Sequence, residues 1–182
     1  MDYPKIKDRQ YIRISPYVEI VQKTVLLNSK KIELFHGIRG GDYVCMVGFT
    51  EDFQVPLVRQ YRPIIEKYTW ELPAGTLEPN ENPRECALRE LAEETGYKSN
   101  NLQSLGTYSA DTGRLEIPIH GFWTQSMEHV TNWSPEALVE TNLFSVEEVY
   151  ALIEDQSFNH IGHIAIFILA ERAAIRHHKK DS

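Results

Sequence analysis

The first third of the chain alternates β-branched and aromatic residues with short turn signals, a pattern that predicts β-strands. Because the separating segments are short, consecutive strands are expected to pair as antiparallel hairpins or a meander. Strands are predicted at residues 18–27, 31–39, 43–49 and 54–61, with turns at Asn28-Ser29, Gly40-Gly41 and Glu51-Asp52. Two later strands are predicted at residues 102–108 and 117–123.

A helix is predicted at residues 83–95, where the signals for both ends agree. Asn82 stands at the N-cap, Pro83 occupies the first helical position and Glu85 can complete a capping box. Gly96 follows the last turn, where a left-handed residue commonly ends a helix. Both boundaries of this helix are therefore predicted from local chemistry.

Two further helices are predicted near the C-terminus. Ser145 and Glu148 form a second capping-box pattern at the start of one of them. The last helix is expected at about residues 161–176, with an apolar face that Arg172 interrupts and that comprises Ile161, Ile164, Ala165, Ile168 and Ile175. The order of strands and helices predicts an α/β or α+β fold with a mixed sheet.

The composition fits a single globular domain. The chain has 182 residues, of which 42% are hydrophobic and 25% are charged, and these values are typical of globular proteins. With 26 acidic and 19 basic side chains, the formal net charge is −7. That balance argues against nucleic acid as a partner, since nucleic-acid binding generally needs a basic surface. A phosphorylated ligand is still compatible, because a bound divalent cation reverses the local sign of the charge.

Cys45 and Cys86 are too few for a disulfide framework and are expected to pack as small apolar residues. The N-terminal residues lack the apolar run of a signal peptide. The longest apolar stretch, residues 164–170, is too short to cross a bilayer. We therefore expect a cytoplasmic protein without a membrane partner.

The negative charge is concentrated at residues 75–97, where six glutamates against two arginines give −4. Glu90 and Glu94 are one helical turn apart, and like charges at that spacing destabilise a helix by a few tenths of a kcal/mol. A hard cation such as Mg²⁺ would offset this repulsion, since it prefers carboxylate oxygens. The alternative is a solvated helix in which Arg89 pairs with Glu85 and Glu93.

The flanking residues favour a metal site. Residues 71–75, Glu-Leu-Pro-Ala-Gly, bring an extended segment to a glycine, where the backbone can approach a ligand closely. Upstream, Arg59 and Arg62 stand at the end of a predicted strand. Their guanidinium groups suit bidentate contacts with phosphate.

This pattern resembles the Nudix box. Gly75, Glu81 and the run Arg89-Glu90-Leu91-Ala92-Glu93-Glu94-Thr95-Gly96 match the charged and glycine positions of that motif, while Tyr97 replaces the usual aliphatic residue at its end. Residues 58–62, 70–75 and 144–149 also resemble ADP-ribose pyrophosphatases. The resemblance covers about residues 18–174 and implies a Nudix-type α/β/α sandwich around a mixed β-sheet, with N-terminal antiparallel strands.

The resemblance implies Mg²⁺-dependent hydrolysis of ADP-ribose or a related nucleoside diphosphate sugar at its pyrophosphate bond. The products would be AMP, or another nucleoside monophosphate, and a sugar phosphate, and Mn²⁺ is expected to substitute for Mg²⁺. Other nucleoside diphosphate conjugates, namely GDP-sugars and dinucleoside polyphosphates, are alternative substrates, and a non-catalytic nucleotide sensor is the alternative from another class. The same resemblance implies a homodimer to which strands within residues 1–50 contribute.

Roles for individual residues are also implied by the resemblance. Glu90 and Glu94 would bind the metal, and Glu93 would bind a second metal or orient the attacking water. Arg89 would hold the loop and helix in shape, and Glu81 would support that geometry or reach a metal. The expected site residues are Ala74, Glu90, Glu93 and Glu94 for the metal, Arg59, Arg62 and Glu71 for the substrate, and Glu93, Glu94 and Glu116 for catalysis.

A further acid is expected on the loop of residues 109–116. Glu116 is the first candidate and Asp111 the second, and either could be only a solvated loop acid. Ala110-Asp111 replaces the Ser-Pro-Gly-like turn of ADP-ribose pyrophosphatases, which weakens the assignment of ADP-ribose but not of the pyrophosphatase class. Outside this loop, His160 and His163 lack a third metal ligand, so structural roles are favoured for both.

Overall fold

The structure, a computed structural model, describes residues 4–134 and 139–181, with side chains through His178. Over these residues the chain forms thirteen strands and three helices. The strands are β1 (Lys5–Arg13), β2 (Glu19–Asn28), β3 (Lys31–Arg39), β4 (Tyr43–Gly48), β5 (Val55–Arg62), β6 (Lys67–Glu71), β7 (Ala74–Thr76), β8 (Tyr97–Lys98), β9 (Gln103–Ser109), β10 (Leu115–Glu116), β11 (Pro118–Thr124), β12 (Glu128–His129) and β13 (Glu140–Phe144). The helices are α1 (Pro83–Thr95), α2 (Val146–Glu154) and α3 (Ile161–Asp181).

The chain divides into two compact units. The first consists of the residues up to Asp42 together with Ser109–Pro118, and it contains β1, β2, β3 and β10. The second consists of Tyr43–Tyr108 and the residues from Ile119 onward, and it contains the three helices and, apart from Ser109 and Pro118, the other strands. That the two units form one domain stays a prediction.

In the first unit, β2 and β3 form the predicted antiparallel hairpin, and β1 extends it to a three-stranded meander. The predicted pairing of β4 with its neighbours in sequence was wrong, because β4 pairs with β7 and β11, and β5 pairs with β6 and β13. The short β10 joins this sheet in parallel with β3, pairing Leu115 with Ile38. Strand β1 was not expected, because five of its nine residues are charged and such residues are depleted in strands. All of its residues are exposed, so no buried face marks it in the sequence.

The second unit is layered around β4. Since side chains alternate between the faces of a strand, Val44 and Met46 pack in one apolar cluster with Cys86, Ala87 and Leu91 of α1. Their neighbours Cys45 and Val47 pack on the other face in a cluster with α3, which contributes Ile166, Phe167, Ala170 and Ala174. Helices therefore cover both faces, and the predicted α/β/α sandwich is confirmed. Both cysteines are free and buried, also as predicted.

The sheet of this unit is mixed, as predicted. Its strand order is β7-β4-β11-β9, with β11 parallel to β4 and β7 antiparallel to it. A second sheet, β13-β5-β6, carries the strand that ends at Arg62. The short β7 brings Ala74 and Gly75 beside Cys45 and Val44.

Helix α1 has the predicted boundaries and caps. The Asn82 side-chain oxygen accepts hydrogen bonds from the backbone N–H groups of Arg84 and Glu85 at 3.0 Å, and the Glu85 carboxylate accepts from Asn82 N–H. Gly96 ends the helix in the left-handed region at φ 73°. The capping box of Ser145 and Glu148 at the start of α2 is likewise confirmed.

The predicted buried face of α3 was wrong. Of its five residues only Ile164 packs against the core, and Ile161, Ala165, Ile168 and Ile175 are exposed. The buried residues are His163, Ile166, Phe167, Ala170 and Ala174. The prediction followed the isoleucines and excluded a histidine, but the helix buries His163 because both of its ring nitrogens have hydrogen-bond partners. Among the described helices, including the long α3, none combines enough length and apolarity to cross a membrane.

Alanine substitutions of two isoleucines that lie two positions apart in α3 test the assignment of its buried face. Ile166 is buried, so Ile166→Ala should lower the free energy of unfolding by about 2–5 kcal/mol. Ile168 is 38% exposed, so Ile168→Ala should change it by less than about 1 kcal/mol. Urea denaturation of both variants measures the difference, and equal losses would contradict the assignment of the buried face.

Candidate active site

The centre of the candidate site is the contact between β7 and the last two turns of α1. The backbone N–H of Ala74 donates a hydrogen bond of 2.9 Å to Glu94 Oε2. At the next residue, a Cβ atom added to Gly75 would lie only 1.9 Å from Glu90 Oε1. The absence of a side chain at Gly75 thus lets the backbone lie directly against the Glu90 carboxylate. The structure thus places Ala74 and Gly75 beside Glu90 and Glu94.

Burial sets the electrostatics of the two carboxylates. It raises the pKa of Glu94 to about 8, and the charge of Glu90 adds to this effect although the Ala74 N–H opposes it. Burial also raises the pKa of Glu90. Burial of negative charge is unfavourable where hydrogen bonds and nearby cations compensate for it only in part. A bound cation would stabilise the ionised form of both groups.

Arg89 connects three carboxylates of the segment. Its guanidinium donates two hydrogen bonds to Glu81, of 2.9 and 3.0 Å, and one each to Glu90 at 2.8 Å and Glu93 at 3.0 Å. The Arg89 hydrogen bonds hold the pKa of Glu81 down at about 2. Glu81 therefore supports the loop geometry, which is one of its two expected roles. Glu85 bonds to the helix cap, so the predicted alternative pairing of Arg89 holds only for Glu93.

Arg62 is held by a buried acid. Glu71, which is only 2% exposed, accepts hydrogen bonds from two guanidinium nitrogens of Arg62 at 2.7 and 2.6 Å and from the Thr69 hydroxyl at 2.5 Å. Burial opposes ionisation of Glu71, but these bonds hold its pKa below the ordinary value. The Arg62 side chain remains 39% exposed. Glu71 thus fixes one side of the Arg62 guanidinium group, and the other side of that group remains accessible.

Comparison with known proteins identifies the family. A sequence model of the NUDIX domain matches residues 41–163, well over half of the chain. The chain belongs to the Nudix family. The residues matched include the whole Nudix box, so the expectation of a Nudix pyrophosphohydrolase is confirmed.

Individual relatives agree with this family. The chain is 28% identical over 166 residues to the methanol dehydrogenase activator of Bacillus methanolicus, covering 85% of this chain and 90% of that protein. It is 29% identical over 116 residues to the ADP-ribose pyrophosphatase of Bacillus subtilis, covering 62% and 63% of the two chains. The crystal structure of an ADP compounds hydrolase superposes with a TM-score of 0.78 over 94% of both chains at 19% identity, which confirms the fold.

The residues present fit the divalent metal ion that Nudix hydrolases use. No group of three or more His, Cys, Asp or Glu side chains that could hold a metal occurs within the described residues. Glu90 and Glu94, together with a backbone oxygen such as the Ala74 carbonyl, could hold such an ion. One or two carboxylates completed by other oxygen donors and water is the set that Mg²⁺ commonly accepts. Glu93 is half exposed, and its carboxylate is bonded to Arg89.

Arg59, the other expected phosphate-binding arginine, has different contacts. It pairs with Glu140 of β13 at 3.0 Å, and its guanidinium carbon lies 4.9 Å from the centre of the Tyr68 ring. These contacts hold it against β6 and β13. Its expected role in binding substrate stays a prediction.

The two candidate acids of the 109–116 loop both lie in the first unit. Asp111 shapes its own turn, since its side chain accepts hydrogen bonds from the N–H groups of Gly113 at 2.8 Å and Arg114 at 3.1 Å. Glu116 forms an ion pair with Lys23 of β2. The hydrogen bonds within its own turn account for the presence of Asp111. Glu116, by contrast, is only partly buried, and its ion pair with Lys23 reaches across the sheet.

Sequence reasoning missed two residues that hold the end of α1. The Trp133 indole N–H donates to the carbonyl of Glu93 at 3.0 Å, and the Thr141 hydroxyl donates to the carbonyl of Glu94 at 2.7 Å. The Trp133 ring also covers Gly96, where an added Cβ would lie 2.6 Å from it. No local signal identifies these partners, because they come from a segment 40 or more residues later.

Tyr43 and His163 form a second missed pair. His163 is fully buried, accepts the Leu72 N–H at Nδ1 at 3.3 Å, and has Nε2 2.9 Å from the Tyr43 hydroxyl oxygen. Burial holds the pKa of His163 well below its ordinary value. The predicted structural role for this histidine therefore agrees with its contacts. The sequence signal for this pair is Tyr43 itself, a polar residue at the start of the otherwise apolar strand β4.

Gly75→Ala tests the close packing of the Nudix box. The added methyl group should displace the flexible Glu90 carboxylate rather than the backbone, so we expect roughly 10- to 100-fold weaker Mn²⁺ binding. The free energy of unfolding should change by less than about 1 kcal/mol. Calorimetric titration of the metal-free protein measures the affinity, with Gly113→Ala as control, since a Cβ there meets only Asp111 Oδ1 at 3.3 Å. Unchanged Mn²⁺ affinity in Gly75→Ala would contradict the role of Glu90.

Proposed function

We propose that this Nudix enzyme hydrolyses the pyrophosphate bond of ADP-ribose or a related nucleoside diphosphate sugar. The products would be AMP, or another nucleoside monophosphate, and a sugar phosphate. The proposal rests on the complete Nudix box, in which Glu90 and Glu94 lie against Ala74 and Gly75. Similarity to the ADP-ribose pyrophosphatase of Bacillus subtilis supports the substrate class.

Mg²⁺, with Mn²⁺ as a substitute, is the proposed cofactor, held by Glu90, Glu94 and the Ala74 carbonyl. When bound, it polarises a phosphoryl oxygen and makes water a better nucleophile. Glu93 is the residue proposed to orient that water or hold a second ion. To do so its carboxylate must leave Arg89, and an exposed ion pair of this kind contributes little stability.

Arg62 and Arg59 are the proposed contacts for the phosphate groups of the substrate. The hydrogen bonds to Glu71 leave Arg62 one open edge, so its approach direction is set before substrate arrives. Glu71, whose oxygens are occupied by Arg62 and Thr69, would act on the substrate through Arg62. The negative charge of Glu71 also offsets the positive charge of Arg62. Arg62 would therefore repel a cation bound at Glu94 less than an unpaired arginine would.

A homodimer is proposed for this enzyme. The sheet of the first unit exposes large apolar side chains, and such surfaces commonly mark association sites. The most exposed of them are Ile12, Ile32 and Leu34, and Ile14 and Tyr17 on the connection between β1 and β2 are more exposed still. A second copy of the chain is their proposed partner. We also propose a cytoplasmic location, consistent with two free cysteines.

Product analysis tests the activity. With ADP-ribose and Mg²⁺, chromatography should show AMP accumulating, and Glu94→Gln should lower the rate at least about 100-fold because it removes a charged metal ligand. Glu85→Gln is the matched control, since it makes the same chemical change in the same helix at a cap position where glutamine also serves. A protein that bound ADP-ribose independently of metal without cleaving it would instead be a nucleotide sensor.

A substrate panel refines the assignment. The panel should contain ADP-ribose, a second ADP-sugar, a GDP-sugar and a dinucleoside polyphosphate at equal concentrations. We expect the highest kcat/KM for an ADP-linked sugar. A preference for the GDP-sugar or the dinucleoside polyphosphate would keep the Nudix chemistry and replace the proposed substrate.

The two acids of the 109–116 loop can be separated by amide substitutions. If Glu116 is the base or a metal ligand, Glu116→Gln should lower kcat by roughly 10²- to 10⁴-fold. Asp111→Asn should leave kcat nearly unchanged, because asparagine keeps the acceptor oxygen for the turn. Loss of the partly exposed Lys23 ion pair should cost less than about 1 kcal/mol of stability. Initial-rate kinetics of the two variants measure kcat. A large loss of kcat in Asp111→Asn alone would make Asp111 the first candidate and Glu116 the second.

A further inference from the structure

Residues 71–74 contribute backbone groups to the candidate site. These groups form hydrogen bonds with residues on both sides of the sheet. Pro73 accepts a hydrogen bond from the N–H of Met46 at 3.1 Å, and Ala74 donates to Glu94 at 2.9 Å. Leu72 is fully buried, and its N–H donates to Nδ1 of His163 at 3.3 Å. A side chain of α3 thus fixes the peptide two residues before the proposed metal-binding carbonyl.

The hydrogen bonds of His163 determine its tautomer. A backbone N–H can only donate, so Nδ1 must carry a lone pair, and the ring proton must be on Nε2. Nε2 then donates to the Tyr43 hydroxyl oxygen, 2.9 Å away. The buried ring stacks on His160 at a centroid distance of 4.0 Å. Because both nitrogens and one ring face are engaged, the ring has one favoured orientation.

His163 also adjoins the other half of the site. Its Nδ1 lies 3.9 Å from Glu71 Oε2, the oxygen that holds the Nη2 nitrogen of Arg62. The neutral ring therefore borders both the acid that orients Arg62 and the peptide that precedes Ala74.

We propose that His163 is a positioning residue for the active site: its Nδ1 holds the Leu72 peptide and thereby sets the Ala74 peptide against Glu94. This inference rests on the proposed metal-dependent hydrolysis. A histidine that merely filled the core would contribute stability alone. A positioning histidine would also affect metal affinity and kcat, and would do so through Nδ1 rather than through Nε2.

Amide substitutions separate the two ring nitrogens. His163→Asn places an acceptor oxygen close to the position of Nδ1 but does not reach Tyr43. His163→Gln extends toward Tyr43 but has no polar atom at the Nδ1 position. Tyr43→Phe removes the Nε2 partner and leaves His163 in place. All three variants lose packing or a hydrogen bond, so their melting temperatures alone do not distinguish the roles.

The experiment measures three properties of the wild type and these variants. They are the Kd for Mn²⁺ by calorimetric titration of the metal-free protein, kcat and KM with ADP-ribose, and amide hydrogen exchange of Leu72 and Ala74 by NMR in EDTA. For His163→Gln we expect a roughly 10- to 100-fold higher Kd, a similar fall in kcat and faster exchange at both amides. For His163→Asn and Tyr43→Phe we expect Kd and kcat within about threefold of wild type, since an acceptor for the Leu72 N–H remains.

Two results would overturn the inference. One is a folded His163→Gln variant that keeps wild-type Kd, kcat and amide exchange and differs only in melting temperature. The other is an equal loss of Mn²⁺ affinity in His163→Asn and His163→Gln. Failure of the proposed function looks different, since the wild type itself would then neither bind Mn²⁺ nor cleave ADP-ribose.

Discussion

The candidate site depends on the burial of two carboxylates, Glu90 and Glu94, against the backbone of Ala74 and Gly75. Removing negative charge from water is unfavourable unless hydrogen bonds or cations compensate for it. The protein supplies the Ala74 N–H to Glu94 and the Arg89 guanidinium to Glu90, and the pKa of both acids is nevertheless raised. The surrounding structure therefore has to hold α1 and the 71–75 segment together against this local cost.

The layered fold provides that support from several directions. Helix α1 is fixed at its start by the capping box of Asn82 and Glu85 and at its end by the hydrogen bonds from Trp133 and Thr141. Strand β4 anchors β7 on one side. The same strand separates α1 from α3, so the two helices reach the 71–74 segment from opposite faces of one sheet. The site is thus assembled where all three layers meet.

The parts of this arrangement that local chemistry determines could be predicted from the sequence. Both ends of α1 and the start of α2 follow from capping residues within a few positions, and the four-residue spacing of Glu90 and Glu94 places them on one face of α1. Their contact with Ala74 and Gly75 is implied only by the resemblance to the Nudix box. The buried face of α3 could not be predicted in this way, because apolarity favours the isoleucines and the partners of His163 come from β4 and the segment after β6. The parallel pairing of β10 with β3, and the occupation of Glu71 by Arg62, likewise depend on residues distant in the chain or on burial.

The end of α1 has a consequence for how this sequence can vary in evolution. Gly96 has a positive φ, and the space that a side chain would need is filled by the Trp133 ring. A larger residue at position 96 is excluded by backbone conformation and by contact at once. Replacing Trp133 with a smaller residue would relieve only the second restriction and would remove the donor to the Glu93 carbonyl. Among descendants of this protein, positions 96 and 133 should therefore change rarely, and position 133 should retain an aromatic donor for as long as position 96 remains glycine.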